Sequence, residues 1–495
     1  MLCTNDGMTP FATLVLAASL AAQAPPSPPP HDMDALLGTW AGVVEHAGEN
    51  APIAFTFERK GEDVRTVVTI PAFHGRAGLG PAKRVGDRIE TGGLTLDYDS
   101  ATESLTATLP KDFVPRYEPR LTLKRAAAFP LPPRPEPQAP LREPLWSADL
   151  GAPLWADAAF RDGRVFVGGE DGRLHALEAR TGRVLWSFKT GGAIRARAAF
   201  VGADVVVPSD DGFLYRVDAR GGERWRVRLG DPVKRVPISD PKSRYETRAP
   251  AVTPVGDRLF VGTSAGQVLA LGAAHGERLW EFKAGDTIAT APTVADGRVY
   301  VGSFDKHVYA LRASDGGLLW KYDTGDAATS DVAILGNDVV VGSRSYDLER
   351  LDARTGRPRW KKYVWFSWVE SSPTVFDGTI YVGTSDAARV LAVDPATGRS
   401  LWEADAYGSA WSKPAVTATR VYEAVAGVVP YSAPHRGAVV AFERATGQLA
   451  WWYQAKAPEP APQERTAYGF PASVAIGDGM VFAPSLDGKL LAFAQ

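Results

Sequence analysis

The chain has 495 residues, more than one ordinary hydrophobic core holds, so it is either several domains or a repeat array. A formal net charge of −2 gives no bulk attraction for nucleic acid or for an anionic membrane surface. The single cysteine, Cys3, excludes an intrachain disulfide framework and a cysteine-based metal site, while 49 glycines and 38 prolines favour short strands and turns over long helices.

The N-terminus reads as an export signal. Residues 11–22 (FATLVLAASLAA) are an apolar run, followed by the small-x-small pattern Ala22-Gln23-Ala24 and then by PPSPPP. This predicts a signal peptide over 1–24, a proline-rich disordered segment over 25–33, and a periplasmic or secreted protein. The leader MLCTNDGM has no lysine or arginine, so a start at Met8 would leave the amino group as its one positive charge. Cys3 precedes the run and cannot serve as a lipid-anchor cysteine placed after it. The run is too short to span a bilayer, and no other stretch is apolar enough, so no transmembrane segment is expected. The histidines at 31, 46, 74, 175, 275, 307 and 435 are scattered and HExxH is absent, so no metal site is expected.

Residues 34–127 alternate like strands without repeating: WAGVVEH, IAFTFERK, VRTVVTI, RIETGGLTLDYD, SLTATLP and PRLTLKR. Six or more antiparallel strands form a small curled sheet or barrel. Its opening, LLGTW, resembles the Gly-x-Trp start of lipocalin-like barrels. Three roles stay open: holding a small ligand, docking a partner, or capping. Residues 128–144 (AFPLPPRPEPQAPLREP) read as a stiff, extended spacer rather than a packed element.

From 145 to 495 the chain repeats. Tryptophans at 146, 186, 225, 280, 320, 360, 402 and 452 recur at about 40 to 55 residues, and those after Trp146 end phrases such as ALEARTGRVLW, ALRASDGGLLW and AVDPATGRSLW. Before each phrase lies a β-rich run such as VFVGG, VYVGS or IYVGT. Each unit reads as four short strands joined by glycine-bearing turns, which is a propeller blade. The fold class is therefore all-β, an eight-bladed propeller of four-stranded blades preceded by a small antiparallel β domain. The tryptophans pack between blades. The last unit stops at KLLAFAQ without an outer strand, and Trp146 precedes the first complete unit. Both loose ends are answered if residues near 143–149 supply the last blade's outer strand.

The phrase ending in tryptophan, with its following gap and SSPTV-like strand, resembles the tryptophan-docking repeats of PQQ-dependent dehydrogenases. It equally resembles the PQQ-like propeller of the outer-membrane assembly lipoprotein BamB. The resemblance covers residues 141–495 and is specific for fold more than for function.

In such a blade the middle turn and the connection to the next blade share one face. The residues before the inner strands then point at the channel: Trp155 and Asp157; Arg195 and Arg197; Arg248; Thr290; Ser330 and Asp331; Trp368, Glu370 and Ser371; Trp411 and Lys413; Tyr468 and Phe470. Arg195, Arg197 and Arg248 make a cationic arc, with Lys234 and Arg235 in the nearby insertion; Lys413 stands on the opposite arc. Trp365, Trp368 and Trp411, with Glu370, make an aromatic arc outside the packing positions. Together they suit an anionic or planar ligand, or a peptide. The competing account is that the arginines pair with nearby acids and the rings plug the channel. Insertions at 231–247, 427–436 and 455–468 read as loops that carry specificity.

No catalytic pattern stands in its proper context. GTSAG (262–266) is a blade turn with no helix after it, and GRAGLG (75–80) lacks the strand-to-helix setting of a dinucleotide loop. Paired acids such as Glu170-Asp171 and Asp210-Asp211 are turn residues. The dehydrogenase resemblance would imply PQQ with calcium, a pair of adjacent cysteines, a Glu, Asn and Asp metal set and a catalytic Asp. The cysteines are absent and no asparagine falls on the candidate face. The expectation is an exported, non-catalytic propeller without a cofactor that binds a protein, peptide or envelope polymer, in a role like BamB's. The alternative is a quinoprotein oxidoreductase.

Overall fold

The computed structural model describes residues 30–46, 49–109, 117–240, 242–245, 249–288 and 290–495. The export-signal reading lies outside the described residues, as does Arg248. No described helix is long and apolar enough to cross a membrane.

The first domain is a closed, antiparallel, eight-stranded barrel in simple chain order. Its strands are β1 (Gly38–His46), β2 (Glu49–Lys60), β3 (Asp63–Ile70), β4 (Gly75–Val85), β5 (Arg88–Thr91), β6 (Leu94–Asp99), β7 (Ser104–Thr108) and β8 (Arg120–Ala126). β1 closes it by pairing with both β2 and β8. At Gly42 a Cβ would fall 1.9 Å from Thr122 O, so the closure needs glycine there. Alternate side chains fill the interior, among them Trp40, Phe55, Phe57, Leu79, Leu96 and Leu123. Trp40 is held by its indole N–H to Leu36 O (2.8 Å) and by Arg125 over its ring. The 3-10 segment Pro30–Leu36 places Met33 and Leu36 in this core, where composition alone suggests a disordered leader to residue 33. β4 is the strand the sequence hides: GRAGLGPAKRV carries three glycines and a proline and lacks β-branched residues in its first ten positions. Its partner β3 draws it into the sheet, with one register shift at Thr66/Val67.

Eight antiparallel sheets follow, each running from a short inner strand to an outer one; seven are four-stranded, and that of the seventh blade carries a fifth strand, Thr466–Gly469. The blades cover 159–189, 199–228, 253–283, 293–323, 333–363, 374–405, 415–454, and 475–494 with 146–149. The ends of the propeller share the eighth blade. Lys489–Ala494 pairs with Trp146–Asp149 through Lys489↔Asp149 to Ala492↔Trp146, as the incomplete last unit predicts.

The tryptophans lock one blade to the next. Seven indole N–H groups, from Trp146, Trp186, Trp225, Trp280, Trp320, Trp360 and Trp402, donate to carbonyls in the outer turn of the following blade at 2.7–3.0 Å. The turn glycine lies under the ring: a Cβ on Gly316 would sit 2.6 Å from Trp280, and its φ is +75°. In the seventh blade the docking position belongs to Trp451 rather than to Trp452, because Ala441↔Trp451 matches Ala270↔Trp280. Among the described residues the Trp451 N–H has no hydrogen-bond partner, since the eighth blade has the chain ends where others have an outer turn. Trp452, on the other side of the strand, donates to Ala139 O.

The 128–144 segment is packed rather than a free spacer. Leu141 bridges Trp452 in parallel, Glu136 pairs with Arg436, and Arg134 is buried. Two of the insertions also contain strands. Arg420–Val429 runs ten residues, and Thr466–Gly469 pairs with its end.

Candidate functional site

Eight inner strands converge on a channel. A cavity of about 250 Å³ there is lined by Asp157, Arg195, Arg197, Asp331, Ser372, Lys413 and Ser473, with small residues between them. Neighbouring blades are stapled around it. Asp331 accepts the Ala291 N–H, Ser372 the Asp331 N–H, Ser473 the Lys413 N–H and Asp157 the Ser473 N–H, at 2.7–2.9 Å. Asp157 and Asp331 are thus engaged by backbone. Arg197 is exposed and Lys413 half-buried, and among the described residues neither has an ion pair with a carboxylate. Arg195 differs: it pairs with Glu170 and Asp210 and stacks over Trp155. Of the cationic arc, Arg195 and Arg197 share this cavity, and Lys413 joins them from the opposite arc.

The aromatic arc is turned elsewhere. Trp368 (4% exposed) and Phe366 are part of one core with the barrel, and Trp365 packs against it. Phe73 meets Phe366 edge-on at 6.4 Å, and Tyr117 donates to Asp347. Glu370 is buried with Arg344, whose Nε and Nη2 reach Oε1 at 2.8 and 2.7 Å, and Arg344 lies 4.3 Å over Trp368. Trp411 is buried beside Val428 and Tyr431, its N–H on Ser385 Oγ. The barrel therefore covers the channel face over blades five to seven.

Aromatic residues there hold left-handed backbone, among them Tyr245 (φ 54°), Tyr346 (φ 69°) and Phe366 (φ 51°). Such non-glycine conformations cost of order 1–3 kcal/mol each and persist only where packing offsets them. Tyr346 stands where Gly172, Gly212 and Gly266 stand in other blades. Arg344 and Tyr346 were legible as departures from the repeat, because VGSRSYD lacks the usual Asp-Gly turn. Their partners were not.

The insertions meet across the face. Tyr245 packs edge-on to Trp368, and Arg465 donates to Tyr245 Oη and lies 5.5 Å over Tyr431. Behind them His435 is buried. Burial pushes its ring well below the ordinary histidine range, and Arg134 and Arg465 act in the same direction. His175 is lowered too, by burial first. The unfolded chain then takes up protons below about pH 6.5 that the fold refuses, so stability is complete above that pH and falls below it. We expect His435→Gln to lose less stability than wild type between about pH 7.5 and about pH 5.5, by up to about 1.4 kcal/mol per pH unit, read from urea unfolding. Equal slopes would contradict this.

The fit to a quinone cofactor with calcium is poor. No group of three His, Cys, Asp or Glu side chains among the described residues could hold a metal ion. The two channel aspartates are engaged by backbone N–H groups and lie beside Arg197 and Lys413. GTSAG is a strand end and turn, with Gly262 ending a strand and Gly266 at φ +79°.

Residues 139–244, 210–364 and 307–495 each match the family model described as outer membrane protein assembly factor BamB. Among solved structures, the computationally designed Ika8 protein is 19% identical, with a TM-score of 0.57, covering 70% of this chain and 98% of that one. Quinohemoprotein alcohol dehydrogenase ADHIIG from Pseudomonas putida HK5 is 15% identical, with a TM-score of 0.55, covering 72% of this chain and 78% of that one. Sqt1 of Saccharomyces cerevisiae is 13% identical, with a TM-score of 0.55, covering 72% and 99%. At such identities the likeness speaks to fold alone. No curated protein matches in sequence.

Proposed function

Because the chain belongs to the family of the outer membrane protein assembly factor BamB, we propose that it is an exported, non-catalytic scaffold protein of the cell envelope. It recognises an acidic segment of a protein partner at the propeller channel. The observation that carries this reading is the pair Arg197 and Lys413, cations lining the cavity without a carboxylate partner among the described residues, while Asp157 and Asp331 are engaged by backbone. Arg195 contributes charge from its ion pairs with Glu170 and Asp210. Lys413, half-buried, gains more from a carboxylate than an open surface cation does.

The test is capture of envelope proteins by the tagged full chain, followed by affinity measurement with the captured partner. The double variant R197E/K413E is expected to weaken binding about ten- to a hundredfold, at one to two charge-assisted hydrogen bonds lost. Its thermal midpoint should stay close to wild type, since Arg197 is exposed. Reversing Arg226 on an outer strand is the control and should change nothing. Equal binding by wild type and the double variant would sink the channel assignment. PQQ with calcium should leave absorbance and thermal midpoint unchanged; a saturable shift would replace this reading with a quinoprotein oxidoreductase.

A further inference from the structure

Where the proline-rich segment crosses the seventh blade, a set of buried donors lacks hydrogen-bond partners among the described residues. Arg134 is 8% exposed, and its Nε, Nη1 and Nη2 make no hydrogen bond among the described residues. Asp405 Oδ1 is 3.6 Å from Nη1, beyond direct hydrogen-bond reach, and already accepts the Tyr407 N–H at 2.6 Å. His435 is 6% exposed, and neither ring nitrogen has a hydrogen-bond partner among the described residues. Its ring packs on Tyr431 at 4.1 Å, and Arg465 lies over the other part of that cluster. The neighbourhood holds four guanidinium groups, Arg134, Arg389, Arg436 and Arg465, against the carboxylates of Asp405, Asp386 and Glu136.

An unanswered buried donor is costly, and a guanidinium is the costliest of all, because its charge cannot be removed by deprotonation. Water could satisfy the N–H groups but would leave the excess positive charge. A tetrahedral oxyanion does both: several acceptor oxygens meet the planar fork of Arg134, and its charge balances the arginines. We propose that Arg134, His435 and Arg465 form a binding site for a small free oxyanion of the phosphate class, which clips the barrel's tether onto the propeller. This site lies apart from the channel residues and does not rest on the function assigned to them.

Equilibrium dialysis of the full chain against labelled inorganic phosphate, at ionic strength held with chloride, tests it. One phosphate per chain is expected, saturating at or below the millimolar range, with a saturable rise in thermal midpoint. Arg134→Gln should weaken binding by about tenfold or more. His435→Phe, a second variant should the first fail to fold, should weaken it several-fold. R197E/K413E should bind phosphate as wild type does. The proposal is overturned by the lack of saturable binding to wild type, by binding that neither Arg134→Gln nor His435→Phe weakens, or by loss of binding in R197E/K413E, which would place the anion in the channel. Vesicles containing phosphatidylglycerol form the second arm; a response to them and none to free phosphate would likewise overturn it.

Discussion

A chain ended after Gly488 is expected to lose its cooperative thermal transition. The missing strand, Lys489–Ala494, lies between Met480–Pro484 and Trp146–Asp149, so its loss separates the two ends of the propeller. It buries Leu490, Leu491 and Phe493 almost completely. At about 1.5–3 kcal/mol for each such side chain, the loss is comparable with the whole stability of an ordinary domain. Two strand edges would also open, inviting association. A milder variant, Phe482→Ala, keeps the strand and removes the ring that stacks on Phe160 at 5.8 Å and meets Trp146 at 5.9 Å. It should cost about 3–5 kcal/mol. Circular dichroism melts read both. A truncated chain that melts cooperatively within a few degrees of full length would refute closure through the eighth blade.

The double variant F366A/W368A should free the barrel from the propeller. Both rings are buried in the core that the two domains share, with Phe73, Tyr117 and Met33 on the barrel side. Each truncation removes a large buried ring, at about 3–5 kcal/mol, and the two sit in one core, so their effects are coupled rather than simply summed. Loss of Trp368 also strips Arg344 of the ring it lies over and Tyr245 of its edge-on contact. The barrel has its own core around Trp40, Phe55 and Leu96 and should keep its fold. Small-angle scattering should then show a larger radius of gyration and a longer maximum dimension than wild type. Tyr117→Phe, which removes only the hydrogen bonds to Asp347, should destabilise by about 1–3 kcal/mol and leave the profile compact. Identical scattering from F366A/W368A and wild type would mean that other contacts hold the domains.

The sequence by itself determined the propeller. Period-two strands, turn glycines and a tryptophan in each unit are local signals repeated eight times, and the unfinished last unit required Trp146–Asp149 to complete it. Exceptions show where local signal fails. β4 pairs well despite its glycines, because its neighbours supply the ladder. Of two adjacent tryptophans, only strand register could say that Trp451 docks and Trp452 does not. Tertiary structure alone decided the fate of the unusual aromatic and charged residues. A surplus ring such as Trp368 marks an extra contact, but nothing near it in the chain says whether a ligand or another domain makes that contact. Here the core that Trp368 joins also holds Phe73 and Tyr117, more than two hundred residues away. Likewise Arg197 and Lys413 come to line one cavity only because eight inner strands converge on one axis.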